Sequence, residues 1–171
     1  MSSKTDYTAE EWKVVLKSPL MAGLAVVAAS PSGPLGALRE MFAVGKLLTE
    51  TKTQAEGRSE SSNELLRALV ADLGSPDGRA QMDSAELRGL APAQLRTHAL
   101  EACRALAALV DRKASREEAE EVKRWLVSVA QRTAEAAKEG GFLGFGGTQV
   151  SETETATIRE VAQALGVKSN V

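Results

Sequence analysis

The sequence predicts an all-α fold, a single-domain helical bundle of about six or seven helices with an exposed polar linker near 51–62. Three observations carry this. Residues 19–29 are apolar on every side, which suits a helix in the middle of a bundle. Three segments have the Ser/Thr-x-x-Glu form that caps a helix, at Thr8–Glu11, Ser115–Glu118 and Ser151–Glu154. Composition agrees: 28 of 171 residues are Ala and 4% are aromatic, and no segment alternates as a strand would. The whole chain, 1–171, reads as one domain, with N-terminal helices in 1–50, a flexible linker at 51–62 and the main bundle in 63–171.

In chain order, residues 1–7 read as a loose tail. Thr8 opens a short helix with Trp12, Val15 and Leu16 inward. It is expected to turn at Ser18-Pro19, where Ser18 would cap and Pro19 would occupy the first position of the apolar helix. Pro31 stops that helix, and 30–34 is turn chemistry. Leu35, Leu38, Met41, Phe42, Gly45 and Leu48 share one face of a helix over about 35–49. Residues 51–62 lack any large apolar side chain, which fits a solvated linker. Asn63 caps a helix carrying Leu65, Leu66, Leu69, Val70 and Leu73, and Gly74 ends it.

Residues 75–83 read as loop, and Ser84 begins a short helical turn to Leu90. Pro92 opens a long helix with Leu95, Ala99, Ala102, Leu106, Leu109 and Val110 on one stripe. The next helix places Val122, Trp125, Leu126, Val129 and Ala136 inside and Glu120, Glu121, Lys123, Arg124, Arg132, Glu135 and Lys138 outside. The short link between the two predicts an antiparallel hairpin. Gly140-Gly141 ends the second helix. The last helix buries Ile158, Val161, Ala162 and Leu165 and stops at Gly166.

Charge and composition remove several functions. Net charge is −2, with 21 basic and 23 acidic residues, so no nucleic-acid partner is expected. A lone cysteine, Cys103, rules out an internal disulfide and a cysteine-cluster metal site. It reads as a small core residue. The apolar run 19–29 is too short to cross a bilayer, which takes about 20 residues. The acidic residues Asp6, Glu10 and Glu11 before it do not suit a secretory n-region, so a cytoplasmic, bacterial-type protein is expected.

No catalytic, cofactor or metal site can be assembled. His98 is the only histidine and lacks an acidic residue at position 95, so a helical di-metal motif fails. Glu117 and Glu121 share a face and could hold a hard cation weakly, but favourable charge near a helix N-terminus and a solvated face is the better explanation, since no Asp-rich loop supplies carbonyl ligands. The glycine-rich run 140–147 follows a helix rather than a strand and contains no lysine, so it is no phosphate loop. Within it stand Phe142, Leu143 and Phe145, including two of the three phenylalanines in the chain. They either plug into the bundle or form an apolar contact for a protein partner, a second copy or, less readily, a membrane surface.

The C-terminal pattern resembles the TerB-like (tellurite-resistance B) helical family. It consists of small residues at 134–137, then Val150-Ser151-Glu152-Thr153-Glu154, then a helix finishing at Leu165-Gly166. Residues 25–29 and 35–48 would form a matching half. The resemblance implies a stress-related module that binds metal or other ions. That family's acidic Ala-Asp-Gly turn is replaced here by Ala29-Ser30-Pro31-Ser32-Gly33 and Gly140-Gly141-Phe142-Leu143-Gly144, so no ligand residue carries over. The leading expectation is a non-enzymatic protein that acts by binding a protein partner or itself, with Phe142, Leu143 and Phe145 as the contact.

Overall fold

The computed structural model describes residues 2–29, 63–81, 85–139 and 152–168. Of these, 86% are helical and none is in a strand, so the chain is an all-α helical bundle. The α-helices are α1 (Ala9–Ala29), α2 (Glu64–Gly74), α3 (Pro76–Gln81), α4 (Pro92–Lys113), α5 (Arg116–Glu139) and α6 (Glu152–Ala164). Short 3-10 turns cover Lys4–Asp6 and Ala85–Leu87. The expected helix at 35–49, the linker 51–62 and the glycine-rich run lie outside the described residues, as does the cap residue Ser151.

Helix α1 is the centre. It packs against every other described α-helix, most extensively against α4 and then α5. Val15, Leu16, Ala22 and Ala25 are wholly buried within it, and even Gly23 and Ala22 face protein rather than solvent. The shell helices each offer one apolar stripe: Leu65, Leu69 and Leu73 on α2; Cys103, Leu106 and Val110 on α4; Val122, Leu126 and Ala130 on α5; Val161 on α6. All belong to one continuous core with α1. Helices α4 and α5 are joined by only two residues, Ala114 and Ser115, yet touch each other far less than each touches α1. The apolar helix thus occupies the place where an isolated hairpin would close on itself.

The expected turn at Ser18-Pro19 is not there. One helix of 21 residues runs through it, with Pro19 inside. Proline cannot donate to the carbonyl four residues back, which leaves Val15 O without its helical partner. The Ser18 hydroxyl donates to that same oxygen at 2.7 Å, and Ser18 is only 1% exposed. The side chain read as a cap therefore repairs the helix that its neighbour would break. The merged helix also changes the membrane reading: by length and composition α1 is long and apolar enough to cross a bilayer, but 67% of its most apolar window is buried in the bundle.

Residues 75–83 were expected as loop and instead carry α3. Ser75 caps it, its hydroxyl accepting from Gly78 N–H at 2.9 Å and donating to Asp72 O at 2.8 Å. A Cβ at Gly78 would collide with the Asp72 carbonyl, so only glycine lets α3 fold back on the end of α2. The remaining caps follow the sequence. Asn63 Oδ1 accepts from Leu66 N–H at 3.0 Å, and Thr8 and Glu11 exchange hydrogen bonds at 2.9 and 3.2 Å. Gly166, at φ +69°, closes α6 with Val167 N–H on Ala162 O at 2.9 Å, the six-to-one bond of a Schellman end.

Lys123 corrects the outward face expected for α5. Its side chain is 8% exposed, and its stem lies in the fold while the ammonium reaches Asp111 at 2.5 Å. Trp125 is half-buried rather than fully inside, and its indole N–H is covered without an acceptor.

Replacing Ser18 with Ala should cost about 1–3 kcal/mol, because it strands a buried carbonyl without changing the apolar packing. The urea midpoint should fall while the helical circular-dichroism signal persists. An unchanged midpoint would show that Val15 O needs no partner.

Candidate functional site

The most densely built polar region lies at the start of the chain, where the sequence reads as a loose tail. Residues 2–8 are instead clasped onto the bundle. Ser3 N–H donates to Asp6 Oδ2 at 2.7 Å, closing a local turn. That turn carries Tyr7 into the core, 7% exposed, with its ring 5.8 Å from the Trp12 ring and tilted by 58°. Burial pushes the Tyr7 phenol above its ordinary range. A lysine stands over each ring at 5.5 Å, Lys4 over Trp12 and Lys113 over Tyr7.

Carboxylates fix these cations. Asp72 on α2 accepts from Lys4 Nζ at 2.5 Å and from the Trp12 indole at 2.8 Å. Glu11 accepts from Lys113 Nζ at 2.6 Å and Arg112 Nη2 at 3.2 Å. Lys113 also donates to Asp6 O at 2.9 Å. The Lys113 ammonium, then the Thr8 N–H, hold the Glu11 carboxyl down at about 2.

The acidic run on α5 is used in the same structural way. Glu118 is buried at 5% exposure, and its carboxylate receives Ser2 N–H at 3.0 and 3.1 Å and Ser115 N–H at 3.1 Å. Asn63, 1% exposed, donates to Glu118 O at 3.1 Å and to Glu121 Oε2 at 3.0 Å. Glu120 pairs with Arg116 at 3.0 Å. Glu121 is thus engaged with Asn63, while Glu117 is exposed. Among the described residues no group of three or more His, Cys, Asp or Glu could hold a metal. Nothing local in the sequence links residues 2, 63 and 118; only the capping signals at 63 and 115–118 hinted that these ends mattered.

Two open grooves flank α4. One, of about 440 Å³, is lined by Leu100, Arg104, Glu160, Gln163 and Ala164, beside an Arg96–Glu160 ion pair at 2.7 Å. The other, of about 420 Å³, brings His98 and Glu101 together with Leu90, Gln94 and Thr97. His98 is half-buried on the helix flank. Cys103 is fully buried in the core, where burial pushes its thiol up to about 12, so it is no nucleophile. Phe142, Leu143 and Phe145 lie outside the described residues. No family model, curated protein or solved structure matches the chain.

Two outcomes follow. A carboxyl held below its ordinary 4.5 contributes stability that is present above that value and is lost as pH falls toward about 2. Glu11→Gln should therefore lower the melting temperature clearly at pH 6 and far less near pH 2, where the pairing is being lost; a gap independent of pH would contradict the pairing. Native protein at pH 8 should resist iodoacetamide at Cys103 and react only after unfolding, whereas rapid native alkylation would show an accessible thiol.

Proposed function

We propose that the protein works by association, with a protein partner or with a second copy of itself, and that Phe142, Leu143 and Phe145 make the contact. The supporting observation is the surface. Among the described residues no Val, Leu, Ile, Met, Phe, Tyr or Trp is exposed; the exposed positions are Ala, Gly, Pro and polar or charged side chains. A monomer whose described large apolar side chains are all buried or half-buried has little need of two phenylalanines in a run that is otherwise mostly glycine. The packing also leaves the lone cysteine inert and spends the acidic run on caps and clasps, which favours a binding role over a catalytic one.

The double substitution Phe142→Ser and Phe145→Ser tests this. Native mass spectrometry and light scattering on protein from its own cells should show a second polypeptide or whole additional copies. The double variant should be a bare monomer with the same helical circular-dichroism signal. A wild-type chain that is a bare monomer, or a variant that associates as before, would refute the reading.

A further inference from the structure

One side of the bundle holds buried apolar residues that the core does not account for. Val27 on α1, Val70 on α2 and Val129 on α5 are 5%, 7% and 2% exposed, yet stand outside the continuous core. Leu20 is half-buried and stands outside it as well. On α1, Trp12, Leu16, Leu20, Gly23 and Val27 follow three- and four-residue spacing and so share a face. Trp12 begins that row with its indole on Asp72 of α2. On α5, Glu121, Trp125 and Val129 form a second row, begun by Glu121 on Asn63 of α2. Helix α2 therefore marks the side on which both rows run, and its polar contacts with them lie at their near ends. Glu11 accepts from Lys113, three residues ahead of α5, so α1 and α5 start at the same end and pack alongside in the same direction. At about 1.5 Å per residue, Val27 stands about 24 Å beyond Glu11 and Val129 about 20 Å beyond Arg116, at similar depth.

We propose that residues 35–49 of the same chain dock here as an amphipathic helix, laying Leu38, Met41 and Phe42 against Leu20, Val27 and Val129. The chain leaves α1 at Ala29, the far end, and re-enters the described fold at Asn63, the near end, with the 33 residues 30–62 between. The return path along α1 is about 27 Å, and a helix over 35–49 supplies about 22 Å of it. Leu35, Leu38, Met41, Phe42, Gly45 and Leu48 give that helix one apolar face, with Arg39, Glu40 and Lys46 off it. An apolar stripe of that width needs a partner surface, and the two rows offer one. Residues 140–151 serve the opposite side of α5. They join it to α6, which meets α4 through Glu160 and Arg96, and α5 turns Lys123, on the side away from Glu121, to Asp111 of α4. Docking of 35–49 carries the shell around α1 past α2 to the far end of the core.

Photo-crosslinking on the full chain tests the docking. With p-benzoylphenylalanine in place of Phe42, irradiation followed by peptide mass spectrometry should link position 42 to peptides carrying 20–27 or 125–129. The same group in place of Arg39 should give little of that product. Irradiation of a mixture with nitrogen-15-labelled protein separates links within one chain from links between copies. Links between copies, links to other helices, or a benzophenone at Phe142 that reaches 125–129 when the one at Phe42 does not, would overturn the proposal. Stability gives a second reading. Phe42→Ala should lower the melting temperature by about 6 °C or more, and Arg39→Ala by about 2 °C or less. Equal small shifts would also overturn it. The crosslinks decide the matter if Phe42→Ala does not fold.

Discussion

The bundle depends on one helix whose C-terminal half has no polar face. Helices α2, α4, α5 and α6 each have a single apolar stripe, and a stripe needs a partner surface. Helix α1 supplies that surface all round, because its side chains from Leu20 to Ala29 carry no charge and few exceed the size of valine. Small residues such as Ala22, Gly23 and Ala25 let neighbours come close, and Leu16, Met21 and Val26 fill the space between them. This is why α4 and α5 can be consecutive in sequence yet meet mainly through α1. Truncating a buried leucine at such a centre costs about 2–5 kcal/mol, so the core tolerates little change there.

An apolar helix packs by area and does not fix its own register. The polar contacts of α1 to other elements supply that constraint at its N-terminal end: Glu11 to Lys113, Trp12 to Asp72 and Lys17 to Glu86 at 2.7 Å. From Ser18 onward the described side chains are held by packing, and the one side-chain hydrogen bond, Ser18 to Val15, is internal. The clasp formed by residues 2–8 reinforces the same end, with Glu118 and Asn63 joining it to α5 and α2. Orientation is therefore set where the chain enters the core, and stability is supplied further along.

Two Ser-Pro pairs show how far local signals reach. Ser18-Pro19 reads as a helix start and lies in a helix interior; Ser75-Pro76 sits in what reads as loop and starts a helix. The pair carries the same local chemistry at both places, a hydroxyl and a missing N–H. Flanking sequence decides: apolar residues on both sides of 18–19 keep the helix worth continuing, whereas Asp72 and Gly78 make 75–76 a fold-back. The bodies of α2, α4, α5 and α6 were legible because each has a clean stripe, and Asn63, Ser115 and Gly166 punctuate three of them as expected. The clasp was not, since residues 2, 63 and 118 meet only through the tertiary fold. Lys123 was missed because periodicity assigns a face to a whole side chain, while its stem and its charge lie in different surroundings. For the candidate contact at Phe142, Leu143 and Phe145 the sequence supplies composition alone.

The central claim is that α1 is the element every other described helix closes upon. Hydrogen–deuterium exchange resolved along the full chain tests it most directly. Amides of residues 20–27 should be among the last to exchange, together with those of 103–110 on α4 and 122–130 on α5, because α1 opens only when the whole bundle does. Exchange of 20–27 well ahead of α4 and α5 would mean that the shell stands without its centre, and would contradict the account.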